Sequence, residues 1–330
     1  MNMKEIDVMA IGELLIDFSP AGPSLNKRPT YEQNPGGAPA NVVAALGKWG
    51  RATSMIARVG EDFFGEDLIS TLKEYHVDCS LITKDKEIPT TLAFVNLDDN
   101  GNRSFRFYRK PGADLMLHKD NIEETGIKRC KIFHFGSVSL TGEPSREATW
   151  HAVERAIENA KIISFDPNVR ELLWEEQDEM KEQIIRGLSV ADLVKVSEEE
   201  LRFLTGEDML EKAMTLLSET YSIPLLIVTL GAEGSSYRLN GKMGFIPGYK
   251  VRALDTTGSG DVFWGSVIYQ LLGRAKLLEL QETDIAQILQ TANAVGALTT
   301  LKKGAIPSIP ALDEIDLFLR QQRKHMEDKT

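Results

Sequence analysis

Apolar positions along the chain follow two rhythms that alternate. Compact apolar runs at 6–12, 52–59, 132–138, 162–165, 193–196 and 225–230 have the unbroken hydrophobicity of strands buried on both faces. Between them, apolar residues recur at helical spacing over 61–76, 144–160, 175–189, 284–301 and 312–323. In the first of these helices Phe63, Phe64, Leu68, Ile69 and Leu72 form the stripe expected to face the core. Ser197-Glu198-Glu199-Glu200 opens a further helix with a capping-box pattern. Strands alternating with helices predict a three-layer α/β sandwich around a parallel sheet.

The rhythm breaks at 90–108. The runs 90–97 and 103–108 are β-rich and joined by Asp98-Asp99-Asn100-Gly101, a hairpin turn signal. Arg106 and Arg109 flank Phe107 and Tyr108, as in a sheet with one apolar face. A hairpin set into a βα series predicts a small β lid over a site, with Arg106 or Arg109 able to reach a substrate. An apolar hairpin face needs cover, and a second copy of the hairpin would supply it, which predicts a homodimer through the lid.

Two glycine-rich turns each open a helix. Asp255-Thr256-Thr257-Gly258-Ser259-Gly260-Asp261 precedes the apolar run 262–268, and its glycines predict a tight turn into a helix N-terminus. Unpaired peptide N–H groups and the positive end of the helix dipole suit a phosphate there. Asp261 beside them is a candidate general base. The dipole is expected to keep this carboxyl acidic, and a loose phosphoryl-transfer transition state tolerates a weak base. Read as ordinary capping, the same residues would only stabilise the helix, by about 1 kcal/mol. The second turn, Asn34-Pro35-Gly36-Gly37-Ala38-Pro39-Ala40-Asn41, leads into a helix from Val42, and Asn41 offers a donor and an acceptor for hydroxyls. The first strand continues through 13–18 and carries Asp17 beyond its end, where open α/β sheets bind ligands.

Composition narrows the choices. The net charge of −11 argues against nucleic-acid or anionic-membrane partners, since both require a basic surface. No run reaches the ~20 apolar residues of a membrane span, and no signal peptide is evident, so a cytoplasmic location is expected. Cys79 and Cys130 are too few and too far apart for a disulfide framework or zinc site. Gly47-Lys48 and Gly241-Lys242 complete no GxxxxGK[ST] loop, and Gly12-Glu13-Leu14-Leu15 after the first strand is not GxGxxG. His134, between Phe133 and Phe135, reads as a packed residue.

With both turns in view, the chain resembles the ribokinase-like, or PfkB, carbohydrate kinases over essentially its full length, and within them 32–41, 108–114 and 166–174 look most like fructokinases. The resemblance implies a ribokinase-like α/β/α sandwich, residues 1–330 as one kinase domain, with a lid built from insertions at about 13–35 and 90–115. It implies ATP-dependent phosphorylation of a sugar hydroxymethyl group, with Asp261 as base and Gly258, Ser259 and Gly260 as anion hole. Asp17, Gly36, Gly37, Asn41, Arg109 and Arg170 would contact the sugar, and Lys195, Thr229, Gly231, Gly234 and Asn293 the nucleotide. Magnesium is implied, with Glu200 acting through water. A potassium site is implied at Asp255, Thr257, Thr299, Lys302, Gly304 and Ser308. Ser197 stands where the family commonly has Asn in an Asn-x-x-Glu pattern, and Glu198 and Glu199 are expected only to offset the helix dipole. Fructose is the first expectation; 2-keto-3-deoxygluconate, ribose and aminoimidazole riboside remain open, as does a non-catalytic sugar-binding regulator.

Overall fold

The computed structural model describes residues 5–97, 103–274 and 280–327, with the backbone alone at 96, 97, 103–105 and 325–327. The chain forms β1 (Ile6–Ile11), β2 (Leu15–Pro23), β3 (Pro29–Gly36), α1 (Ala38–Lys48), β4 (Thr53–Gly60), α2 (Phe63–Glu74), β5 (Val77–Asp78), β6 (Ile82–Asp85), β7 (Leu92–Leu97) and β8 (Arg103–Tyr108). Then come α3 (Glu124–Ile127), β9 (Cys130–Phe135), α4 (Ser145–Glu158), β10 (Ile162–Phe165), α5 (Gln177–Leu188), β11 (Leu193–Ser197), α6 (Glu198–Thr205) and α7 (Leu210–Thr220). The last part holds β12 (Leu225–Thr229), β13 (Gly234–Leu239), β14 (Lys242–Pro247), α8 (Ser259–Leu271), α9 (Glu282–Thr299) and α10 (Leu312–Glu327).

Ten strands make the main sheet in the order β14-β13-β12-β11-β10-β9-β1-β4-β5, with β6 also on β4. Its pairs are parallel except β12 with β13 and β13 with β14. Alternation along the strands splits the core in two. Val8, Ala10, Leu225 and Ile227 pack with α1, α8 and α9, whereas Met9, Ile11, Leu226 and Val228 pack with α4, α5 and α7. This is the three-layer ribokinase-like arrangement. Trp264 on α8, fully buried, spans the layers and donates Nε1–H to Ser164 Oγ at 3.0 Å, which satisfies the polar end of a side chain worth about 2–3 kcal/mol in burial.

A second sheet of four strands has the order β3-β2-β7-β8, antiparallel except that β2 and β7 run parallel. Its register sets Asn34, Asp17, Ala93 and Phe107 in one row across the strands. Asp17 and Phe107 line a cleft above the main sheet, while their neighbours Phe18 and Tyr108 belong to an aromatic cluster with Phe94.

Several sequence expectations change. Residues 13–18 do not extend the first strand: β1 stops at Ile11, and after the bend at Gly12 the chain enters a different sheet. Helix α1 begins at Ala38, so Asn41 lies in its first turn. Phe63 is 73% exposed, because α2 starts there and only Phe64 reaches Phe18. The expected turn 98–101 lies outside the described residues. Strand β3 and helix α7 had no counterpart in the sequence reading: β3 is polar, and α7 follows directly on α6.

Candidate active site

Two cavities sit at the carboxyl ends of the main-sheet strands. One, of about 300 Å³, is lined by Asp17, Asn41, Phe107, Asn168, Arg170 and Asp261 among others. The other, of about 270 Å³, is lined by Thr229, Gly231, Gly234, Ser259 and Asn293 among others. Thr256 and Gly260 belong to both walls, so the cavities meet at the glycine turn that opens α8.

That turn forms because Gly258, with φ +72, precedes the helix as its N-cap. A Cβ on Gly258 would lie 2.4 Å from Ala305 Cβ, so the close packing of the two loops requires glycine. Among the described residues no side chain caps α8. Ser259 N–H reaches Thr256 O at 3.3 Å, whereas Gly260 and Asp261 are in the turn whose N–H groups have no acceptor within the helix.

Asp261 is 7% exposed. Its Oδ2 accepts from Asn41 Nδ2 at 2.7 Å, and its Oδ1 from Asn168 Nδ2 at 2.9 Å. Burial raises its pKa to about 6, with Lys195, the Asn41 hydrogen bond and Arg170 pulling down and Asp166 pushing up. The expectation of a dipole-acidified carboxyl is therefore corrected: desolvation outweighs the helix end, and the group is a stronger base than the sequence implied. Asp17 is likewise raised to about 7, first by burial, with Arg170 lowering it and Asp261 and Asp255 raising it.

Lys195, on β11, is 5% exposed and donates to Asp166 Oδ2 at 2.7 Å. Burial lowers its pKa, but Asp166, Glu200 and Asp261 more than offset this and raise it, so the lysine stays charged. A Cβ on Gly260 would lie 3.3 Å from its Nζ, which puts the ammonium beside the glycine turn. Both oxygens of Glu200 are engaged: Oε1 accepts from Val169 N–H at 2.7 Å and Oε2 from Ser197 N–H at 2.8 Å. These bonds fit a carboxylate that reaches a hydrated cation only through water. Thr229 Oγ1 donates to Val196 O at 3.4 Å, and Asn293 bridges Ser235 to the carbonyls of Ile246 and Pro247.

Of the other expected sugar contacts, Gly37 and Arg170 line the first cavity and Gly36 pairs with Leu15 at its edge. Arg109 is 6% exposed and its guanidinium is directed elsewhere, to Asp114 at 2.7 Å, to Thr141 and to Val138 O. The arginine supports the cleft wall from behind through Val138, itself a lining residue.

The expected potassium positions form one neighbourhood. Asp255 accepts from Thr257 N–H at 2.9 Å through Oδ1 and from Gly304 N–H at 3.0 Å through Oδ2. Thr299 and Ser308 are fully buried and turn their hydroxyls to Val295 O and Ala305 O. A buried carboxylate is an oxygen donor of the kind a hard cation takes. The Lys302 side chain is exposed and paired with Glu314 at 3.0 Å.

Three residues at the site went without a role in the sequence reading: Asn168, Asp166 and Glu13. Asn168 and Asp166 sit in Asp166-Pro167-Asn168-Val169-Arg170, where the strand exit was visible but the direction of the side chains was not. Glu13 is 4% exposed and its Oε1 accepts from Ala38 N–H at 2.7 Å.

The match to a family model decides the identity: that of pfkB family carbohydrate kinases covers residues 5–312. The chain belongs to this family. A pfkB kinase relative, Fructokinase-1 of Zea mays, is 42% identical over 310 residues, covering 93% of this chain and 96% of the relative. Fructokinase of Xylella fastidiosa, solved with bound ATP, is 32% identical with a TM-score of 0.88, covering 96% of this chain and 99% of that one. A double mutant of the Vibrio cholerae O395 fructokinase, solved with fructose, ADP and potassium ion bound, is 34% identical with a TM-score of 0.87, covering 96% and 100%. As in those pfkB kinases, the fold combines a mostly parallel central sheet with a small second sheet. Among the described residues no helix is long and apolar enough to cross a membrane.

Proposed function

We propose that the first cavity holds a sugar, the second holds ATP, and the phosphoryl group passes between them at the α8 glycine turn. The enzyme acts as an ATP-dependent fructose kinase. The observation that carries this reading is the shared wall: Thr256 and Gly260 border both cavities, and Asp261 follows Gly260 in the chain. A hydroxymethyl oxygen beside Asp261 gives its proton to the carboxylate, attacks the γ-phosphorus, and ADP leaves with the electrons of the broken P–O bond. The N–H groups at 258–260 and the Lys195 ammonium take up the negative charge of the transferring group.

Asp17, Gly36, Gly37, Asn41 and Arg170 orient the sugar in this reading, Arg109 acting behind the wall. Thr229, Gly231, Gly234 and Asn293 frame the nucleotide. Magnesium arriving with ATP would neutralise phosphate charge, with Glu200 acting through a retained water. Potassium would sit by Asp255, Thr257 and the carbonyls near 299–308, which would steady the turn. The whole chain works as one kinase unit in the cytoplasm, the second sheet serving as lid. Exposed Phe63 (73%) and Tyr108 (60%) beside the aromatic cluster favour pairing of two lids. Serine at both positions is expected to convert a dimer to a monomer by light scattering, and an unaltered mass would remove the lids from the interface.

The decisive test is fructose-dependent ADP release in Asp261→Asn. Loss of a general base lowers kcat by about 10²–10⁴ with the sugar KM little changed. Wild-type turnover in that variant would end the assignment. A comparison of kcat/KM for fructose, 2-keto-3-deoxygluconate, ribose and aminoimidazole riboside fixes the acceptor.

A further inference from the structure

We infer that Asn168 is a positioning residue for the base: its amide fixes the carboxylate plane of Asp261 and favours the ionised form. The inference rests on the reading of Asp261 given above and adds a residue to it.

The contact is direct. Asn168 Nδ2 lies 2.9 Å from Asp261 Oδ1, and Asn41 Nδ2 lies 2.7 Å from Oδ2. An ionised carboxylate only accepts hydrogen bonds, so in both asparagines the nitrogen end of the amide must face it. Two donors on the two oxygens stop rotation of the carboxylate and leave its remaining lone pairs aimed at the cavity. Each donor also stabilises the charged form against the burial that raises the Asp261 pKa.

The backbone is arranged to aim this amide. Asn168 is 9% exposed and has φ +46, a left-handed conformation that asparagine tolerates better than most residues. Three bonds hold the loop in that shape. Asp166 accepts from Lys195 Nζ at 2.7 Å, Pro167 O accepts from Ser137 N–H at 3.0 Å, and Val169 N–H donates to Glu200 Oε1 at 2.7 Å. Lys195 and Glu200 thus hold the loop that holds the base. Among the charged groups that act on Asp261 are Lys195 and Arg170, which lower its pKa, Asp166, which raises it, and Asp17 in the same cavity, a like charge whose own pKa Asp261 raises; none of them is removed by a change at Asn168.

The test uses Asn168→Gly, which keeps the left-handed backbone and deletes the amide. Its kcat is expected to fall about 10–100-fold, the loss of one hydrogen bond to a charged group. The acid limb of its pH–rate profile is expected to rise by about one unit, with the ATP KM within a few-fold of wild type. Asn168→Asp preserves shape but sets a second carboxyl against Asp261, and should raise the acid limb further. A residue that merely supports the loop would lower kcat and leave the limb in place. An unshifted limb in both variants, or in Asn168→Asp alone if the glycine variant does not fold, overturns the inference. A wild-type enzyme that releases ADP, with Asp261→Asn dead and Asn168→Gly unaltered, overturns it while leaving the base intact. Normal turnover in Asp261→Asn overturns both.

Discussion

Helices α1 and α8 begin in nearly the same way and have different parts in the proposed function. Each opens on a glycine with positive φ, Gly37 at +121 and Gly258 at +72, and each N-terminus faces the same cleft. The two helices touch through Asn41 and Asp261. At α1 the end is closed from within the protein. Ala38 N–H donates to Glu13 Oε1 at 2.7 Å and Pro39 has no N–H, whereas the first intrahelical bond, Asn41 N–H to Gly37 O at 2.9 Å, has its equal at α8 in Val262 N–H to Gly258 O at 2.9 Å. At α8 no side chain among the described residues caps the helix, and the turn borders both cavities. A glycine turn can serve as an anion site to the extent that its peptide donors are left over from bonds inside the molecule. In the proposed reading one end offers a side chain to a neutral polyol, and the other offers its peptide groups to a phosphate.

Alanine at each glycine should separate these two roles. In Gly258→Ala the new Cβ meets Ala305 Cβ at 2.4 Å in a left-handed backbone, so the turn must shift. A displaced anion hole is expected to lower kcat by about 10²–10³ while fructose still binds. In Gly37→Ala the Cβ meets Glu13 O at 2.2 Å, and the loss is expected chiefly in the sugar KM. Steady-state kinetics with fructose and ATP varied in turn would read both. A loss confined to kcat in Gly37→Ala would break the comparison.

Both turns were legible in the sequence because glycine and small polar residues before an apolar run have few other uses. The parallel strands were equally plain, since strands buried on both faces leave unbroken apolar runs. Invisible were contacts that join distant segments. Nothing local to Glu13 announces that it caps a helix beginning 25 positions later, because such a cap depends on where two sheets diverge. The acidity of Asp261 was misjudged for a related reason: the helix dipole is a local feature, but the burial that prevails is supplied by α1 and the 166–170 loop. Arg109, next to an aromatic strand, looked free to meet substrate, and Asp114, five residues on, holds it.

Glu13 supplies the second way to sharpen the contrast. Burial raises its pKa to about 7 from an ordinary value of 4.5. Between those values the folded chain keeps a proton that the unfolded chain has lost. Its contribution therefore falls as pH rises through that window and is level above it, a change on the order of 3 kcal/mol. Asp17 and Asp261, raised to about 7 and about 6, act in the same direction. Denaturant unfolding from pH 4 to pH 8 should show stability declining over the window. Glu13→Gln keeps an acceptor for Ala38 N–H and has no proton to lose, so its decline should be smaller by about that amount. An equal decline in variant and wild type would mean that Glu13 does not titrate as a buried group.

The smallest effect is expected where a helix closes its own end. Helix α6 has Ser197 as N-cap, its Oγ accepting from Glu200 N–H at 3.1 Å while Glu200 Oε2 accepts from Ser197 N–H at 2.8 Å. This reciprocal box shows what serine does at the position where the resemblance implies asparagine. The hydroxyl is committed to the helix, and asparagine fills an N-cap about equally well. Ser197→Ala should lower stability by about 1 kcal/mol by thermal unfolding, with kcat/KM within about two-fold of wild type. Ser197→Asn should restore that stability without changing the magnesium concentration needed for half-maximal rate. A large shift in that concentration in either variant would show that the hydroxyl acts on the nucleotide's metal, and α6 would then join α8 as an end open to ligand.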